Sequence, residues 1–463
     1  MHRIEFNLLP VSSYPRNPLM YRKIQGDLEE WRSSPNRKPL VIKGARQVGK
    51  TYVLKEWGKA AFPKVHYVNF EKTPQAAVIF THDLDVHRIV RDLGFWLKSS
   101  IDINNDLLIL DEIQAAPKAL TGLKYFCEDL PQFAVCAAGS LLGVILSEES
   151  FPVGKVAFLH MHPLSFSEFL IAVDERETHK QLPQPSLTAK VPDIVHDHLW
   201  QMLKIYYVVG GMPEVVNIYQ QLRTDMYAAL NQVRATQQDL LQTYENDFAK
   251  HAGKLNAIHI QAMYRSIPSQ LAGGHDESVQ RFKFGEVMSG KKGFVTWERP
   301  LHWLINAGLA LQVKIANTAQ LPLEHHCKAN SFKLFMNDIG LLGCAQHLDA
   351  QAIMQQSYGL AKGYFAENFV AQEMRAAHAQ QQWPLYAWSE RSAEVEYVRP
   401  FHGSVIPVEV KAGHRTQAKS LLQFRRQYDP PLSIKISAQP LRYDPSERLL
   451  HLPLYLAAWS ALL

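Results

Sequence analysis

Gly44-Ala45-Arg46-Gln47-Val48-Gly49-Lys50-Thr51 has the residue types and spacing of G-x-x-x-x-G-K-[ST]. Each fixed position has a physical task. The glycines let the backbone turn tightly and aim N–H groups at a polyphosphate. A helix starting at the same point adds its positive dipole end. Lys50 would reach the β- and γ-phosphates, and the Thr51 hydroxyl would ligate Mg²⁺. The loop also has the right context. The apolar run Pro39-Leu40-Val41-Ile42 precedes it, and the helical run Tyr52-Val53-Leu54-Lys55-Glu56-Trp57 follows.

A second set of residues fits the same chemistry. Leu107-Leu108-Ile109-Leu110 is a continuous apolar run ending in Asp111-Glu112. Such runs read as buried parallel strands, and ligands bind beyond the carboxyl ends of those strands. Asp111 would hold Mg²⁺ opposite Thr51, and Glu112 would polarise the attacking water. Phosphoryl transfer needs mainly positioning and charge stabilisation, so these few groups suffice. Ser140 ends the next strand and is a candidate γ-phosphate sensor. Lys155, after Gly154, is a candidate cation for the phosphates. The expected reaction is hydrolysis of ATP, with ATP and Mg²⁺ as cofactors.

A third group lies far downstream. Glu396 falls on one expected strand, and Glu409-x-Lys411 on the next. Strand side chains alternate, so Glu409 and Lys411 share a face. An acid followed by E-x-K is the arrangement of PD-(D/E)xK nuclease-like folds, in which carboxylates hold Mg²⁺ and the lysine prepares water. Glu367, on the preceding helix, adds a further acid. The same pattern also suits a degenerate nuclease fold used for binding or assembly. Between Val410 and Tyr428 there are no acids, while Lys411, Arg415, Lys419, Arg425 and Arg426 are basic. Arg415, Lys419 and Arg426 fall near one helical face. That face suits either a phosphate backbone or plain solvent.

The elements that must position these groups are legible from patterning. Strands are expected at 39–42, 64–70, 107–112, 133–138 and 155–161, with helices between them. One helix is expected to be capped at Thr81-His82-Asp83 and to run to Lys98. That β-α-β-α alternation predicts a parallel sheet with helices on both faces. Residues 174–191 read as a polar, Pro-containing linker. Mostly helical segments follow to Val313, broken at Gly210-Gly211, Gly273-Gly274 and the basic Gly290-Lys291-Lys292-Gly293. Strands return near Phe332. The expected domains are an ATPase core at 14–172, a helical lid at 195–235, a helical segment at 236–325 and a nuclease-like α/β domain at 330–463.

Composition bounds the rest. The chain has 463 residues and is 47% hydrophobic and 20% charged, as in ordinary globular proteins. A net charge of +5 permits an acidic partner such as DNA without requiring one. Cys127, Cys136, Cys327 and Cys344 form no CxxC pair, which points to reduced thiols, a cytoplasmic location and no structural zinc. No signal peptide is expected at Met1–Pro10. The longest uncharged stretch, 130–147, is broken by Pro131, Gln132 and Gly139, so no membrane span is expected.

Several short motifs occur in a fixed order. They are the phosphate loop, Tyr67-Val68-Asn69-Phe70-Glu71, Leu110-Asp111-Glu112-Ile113-Gln114, Ala138-Gly139-Ser140, the run from Pro163 to Phe169, Gly210-Gly211-Met212-Pro213-Glu214, and the run from Lys333 to Leu342. This succession resembles the prokaryotic AAA-type ATPases that carry a DUF4143 region, over about Leu19 to Tyr455. The resemblance implies a winged-helix-like segment around 237–313. The chain departs at Lys155, where the family shows Gly-Arg, and keeps a cation there without the planar fork of arginine. It also has Glu396 where the family more often has Asp. An oligomer fits the resemblance, with no intersubunit arginine assigned. Two further readings stay open: a nucleotide-switched DNA-binding or scaffold protein with little turnover, and an active metal-dependent nuclease.

Overall fold

The apolar runs of the first third of the chain form one parallel sheet. Its strands are β1 (Leu40–Lys43), β2 (Val65–Asn69), β3 (Leu107–Asp111), β4 (Ala134–Ala138) and β5 (Ala157–His160). They lie in the order β2-β3-β4-β1-β5, and each neighbouring pair is parallel. The structure, a computed structural model, describes residues 20–139, 154–251, 254–273, 281–290, 293–378, 380–413 and 419–463. Ser140, Lys291, Lys292 and Arg415 lie outside the described residues.

β3 is buried at every position because helices cover both faces. Leu108 and Leu110 pack with Ile89 and Leu93 of α3 (Val86–Trp96), and with Leu120 and Leu123 of α4 (Pro117–Asp129). On the opposite face lies α2 (Lys50–Ala61), whose Gly58 meets Leu107 and Val65. α1 (Ile24–Ser33) comes first in the described chain and sets Trp31 against Trp57 of α2, with ring centroids 6.2 Å apart. β1 and β3 flank β4 in the sheet, so their carboxyl ends open on the same edge.

One helix starts later than its expected cap. Asp85, not the Thr81–Asp83 stretch, accepts the N–H groups of His87 and Arg88 at the start of α3. The Thr81 hydroxyl instead donates to the Val78 carbonyl at 2.8 Å, closing a 3₁₀ turn over Pro74–Phe80.

The chain divides into two compact units, the first closing at His162 and the second opening at Pro163, with Gln380 and Gln381 grouped with the first. The expected limit at 172 therefore lies inside the second unit. The reason is local. Phe166 and Phe169 of α5 (Phe166–Ala172) pack on Tyr206 of α6 (Asp193–Val209), at centroid distances of 5.8 and 5.2 Å.

The second unit continues through α7 (Pro213–Leu222), α8 (Met226–His251), α9 (Lys254–Ala272) and α10 (Phe294–Asn306). It then builds a mixed sheet of eight strands. These are β6 (Ala310–Ala316), β7 (Cys327–Met336), β8 (Leu385–Glu390), β9 (Ala393–Phe401), β10 (Ser404–Val410), β11 (Ser433–Ser437), β12 (Arg442–Asp444) and β13 (Leu449–Pro453). Their order is β12-β13-β11-β10-β9-β8-β6-β7. β6 and β7 pair antiparallel, and β6 also pairs parallel with β8. The expected boundary between 325 and 330 thus falls at the start of β7, inside one sheet. The helices α11 (Ile339–Ala345), α12 (Ala361–Ala376) and α13 (Lys419–Tyr428) complete the unit.

A buried polar knot ties this unit together. Leu164 N–H donates to Gly211 O at 2.6 Å, and the Tyr206 hydroxyl donates to Leu164 O. Gln372 of α12 donates to the Tyr206 oxygen at 2.6 Å and accepts from Ile339 N–H at 3.0 Å. Asp338 accepts the N–H groups of Gly211 at 2.6 Å and Leu341 at 3.0 Å. A Cβ on Gly211 would lie 2.1 Å from Leu164 O, so only glycine fits there. The motif runs at 163–169, 210–214 and 333–342, separate in sequence, meet at this knot.

Candidate functional site

The loop between β1 and α2 is shaped by steric limits before any ligand is considered. A Cβ on Gly44 would stand 2.1 Å from the Met161 carbonyl oxygen. Gly49 sits at φ 94°, left-handed, and begins α2. Arg22, buried beneath the loop, donates to Val48 O at 2.7 Å and to His162 O at 2.5 Å, fixing the loop from behind.

Lys50 is buried, and its ammonium donates to the Gly44 and Ala45 carbonyls at 2.9 and 2.8 Å. Burial lowers its pKa to about 8, against the opposing pull of Glu112 and Asp111. Thr51, one residue on, donates its hydroxyl to Asp111 Oδ2 at 3.0 Å. Glu112 follows at φ 50° and accepts a hydrogen bond from the Gln114 amide. Burial raises its carboxyl pKa, and the Gln114 bond offsets part of that rise. The structure thus brings Lys50, Thr51, Asp111 and Glu112 to one sheet edge. Lys155 is turned elsewhere: its ammonium pairs with Glu128 at 2.9 Å on the surface.

Two side chains of the Tyr67–Glu71 motif, given no role by the sequence, also reach this edge. Tyr67 donates its hydroxyl to Asp111 Oδ2 at 2.7 Å, and Asn69 donates to the same oxygen at 3.1 Å. They stand two residues apart on β2, and Asn69 is in register with Asp111. Strand alternation puts them on one face, but that signal alone does not name β3 as the neighbour.

The downstream candidates also come together, with partners the sequence reading omitted. Lys411 pairs with Glu396 at 3.1 Å and with Glu409 at 2.7 Å, and Glu396 accepts from Val410 N–H at 2.9 Å. Glu367, on α12, pairs at 3.0 Å with Lys333 of β7, which also contacts Glu394 of β9. Lys333 and Glu409 are buried. Burial pulls the Lys333 pKa down, but Glu367, Glu394 and Glu396 together outweigh it and hold the ammonium charged. Among the described residues no three His, Cys, Asp or Glu side chains converge so as to hold a metal ion. Two lysines instead lie between the carboxylates. On α13, Leu421 and Phe424 face inward, Lys419 and Arg426 are exposed, and Arg425 pairs with Glu447 at 2.7 Å.

Among the described residues no helix is long and apolar enough to cross a membrane. Residues 36–170 match the family model of an AAA domain, AAA_14. Residues 201–352 match a domain of unknown function, DUF8612, and residues 362–455 match another, DUF4143. No curated protein matches the chain. Among solved structures it is similar to the Walker-type ATPase PABY2304 of Pyrococcus abyssi, at 13% identity over 70% of this chain and 94% of that one, with a TM-score of 0.43. It is also similar to the Aeropyrum pernix ORC1 protein in complex with DNA, at 13% identity over 73% and 94%, with a TM-score of 0.31. With its phosphate loop set in a parallel sheet, the chain carries an AAA domain at residues 36–170 and a DUF4143 region at residues 362–455.

Proposed function

We propose that the chain hydrolyses ATP to ADP and phosphate in a Mg²⁺-dependent reaction at Lys50, Thr51, Asp111 and Glu112. The observation that carries this reading is the 3.0 Å contact between Thr51 Oγ1 and Asp111 Oδ2, beside the loop that holds Lys50. A hydroxyl and a carboxylate oxygen so placed form a hard-oxygen donor set, which fits Mg²⁺. When bound, the ion would neutralise charge on the phosphate oxygens.

The chain's own groups do the rest. Residues 44–51 present backbone N–H groups to the phosphates, and Lys50 leaves its two carbonyl partners to meet the β- and γ-oxygens. Glu112, with its raised pKa and its bond to Gln114, orients the attacking water and takes its proton. Ser140 is kept as the γ-phosphate sensor from its place in the sequence after β4. The test is ATP turnover with Lys50→Ala. Loss by about a hundredfold or more is expected, and unchanged hydrolysis would sink the assignment.

A DNA partner is a second reading, favoured by the exposed Lys419 and Arg426 on α13. Adding DNA to the ATPase assay tests it; turnover and affinity that ignore DNA would remove it. Around Glu396 and Glu409 the Lys411 ammonium pairs with both carboxylates. This cluster is proposed as a charge-neutralised brace, and no cleavage is assigned to it. A DNA incubation with Mg²⁺ or Mn²⁺ that gave cleavage lost in Glu409→Ala would overturn that.

A further inference from the structure

Asp111 Oδ2 accepts three hydrogen bonds, from Thr51 Oγ1 at 3.0 Å, Tyr67 Oη at 2.7 Å and Asn69 Nδ2 at 3.1 Å. The Thr51 oxygen would also offer a lone pair to the cation, so its bond to the carboxylate is shared with that duty. The other two donors stand on β2, where Tyr67 makes the shortest of the three contacts.

Tyr67 is itself held from α2. Lys55 places its ammonium 3.4 Å from the centroid of the Tyr67 ring. Lys55 stands four residues after Thr51, one helical turn, so both project from the same face of α2. Thr51, Asp111, Tyr67 and Lys55 thus close a ring that links the loop's own helix to β2 and β3. A cation over an aromatic face is attractive and fixes the ring's attitude.

We propose that Tyr67 is a positioning residue of the nucleotide site, with its phenol, steadied by Lys55, holding the Asp111 carboxylate in the orientation that receives the cation. The proposal rests on the Mg²⁺–nucleotide reading of the site. Its signature is specific. Removing one hydroxyl leaves the phosphate loop and Lys50 untouched, so nucleotide binding without metal is kept, while the metal-dependent gain in affinity shrinks.

The experiment titrates Mg²⁺ against the full chain holding a fluorescent ATP analogue. A parallel measurement is made in EDTA, and thermal unfolding is followed without nucleotide. For Tyr67→Phe the expected result is unchanged affinity in EDTA, an unchanged melting profile, and a Mg²⁺ half-point raised about tenfold, as for one lost hydrogen bond to a charged group. Lys55→Ala shifts the half-point the same way by less, and Lys55→Arg, which keeps a cation over the ring, restores it. A Tyr67→Phe titration that overlays the wild type overturns the proposal, as does an equal loss of affinity with and without metal. Wild type that binds no nucleotide at all refutes the underlying reading, and the proposal with it.

Discussion

Glu373, on α12, accepts a hydrogen bond at 2.8 Å from the backbone N–H of Phe166, the residue that opens α5. Both groups are buried. The bond satisfies one of the orphan donors at a helix start, while Ser165 and Glu168 satisfy others through a capping box. Glu373→Ala should leave that N–H unpaired and lower the unfolding free energy by about 1–3 kcal/mol. Denaturant unfolding measures it, and an unmoved midpoint would count against the bond.

Gly211→Ala should be costly for a different reason. The added carbon meets the Leu164 carbonyl at 2.1 Å, a backbone atom that cannot swing aside. Overpacking of this kind costs about 1–3 kcal/mol, and more where the backbone must move. The expected outcome is a lower melting temperature, with the largest loss of amide protection at 163–169 and 209–212. Full retention of both would show that the chain relaxes around the methyl group.

Nucleotide affinity should depend on pH through Lys50. Burial lowers its pKa to about 8 in the free protein, so the ammonium is present below that value and lost above it. Binding a polyphosphate requires the charged form. Affinity should therefore be flat to about pH 7.5 and fall as pH rises through 8, by up to about tenfold per pH unit. Lys50→Arg, charged throughout, should bind with little pH dependence over the same range. Binding isotherms across pH 7 to 10 decide the matter.

Glu112→Gln should separate binding from turnover. The amide keeps the shape and cannot take a proton, so hydrolysis should fall about 10²- to 10⁴-fold. Lys50, Thr51 and Asp111 are untouched, so the ATP dissociation constant should hold. A matching fall in affinity would place Glu112 in binding instead.

Stability should fall with pH on account of Glu409. Burial first, and Glu396 second, push its pKa up to about 8, against the attraction of Lys411. The folded protein therefore holds this proton more tightly than the unfolded chain. The stabilisation is complete below the ordinary carboxyl range and is lost as pH rises through about 8. Glu409→Gln should flatten the decline in melting temperature between about pH 5 and 9. An equally steep decline in the variant would assign the dependence to other groups.

The sheet edge that gathers Lys50, Thr51, Asp111 and Glu112 was legible because its signals are contiguous. An apolar run that ends in Asp111-Glu112, and glycines spaced around Lys50, each report on their own neighbourhood. The order of the sheet was not legible in that way, and so neither was the convergence of Tyr67 and Asn69 on Asp111. Lys333 and Glu394 were missed for the same reason. Their pairing with Glu367 depends on how β7, β9 and α12 meet, and nothing local announces it. The compact unit closes at His162, ten residues before the expected limit at 172, because Pro163 follows β5 without any linker. The break between the units is marked by packing, not by composition.

That break also bears on how such chains can be recombined. The AAA-domain match extends to residue 170, yet Leu164, Phe166 and Phe169 belong to the core that begins at Pro163. A gene fusion spliced at the end of the matched segment would export buried aromatic side chains with the donor and strip their partners from the recipient. A splice at 162/163 would leave each core whole. In this chain, the segment that matches the AAA domain is therefore not the segment that packs as a unit.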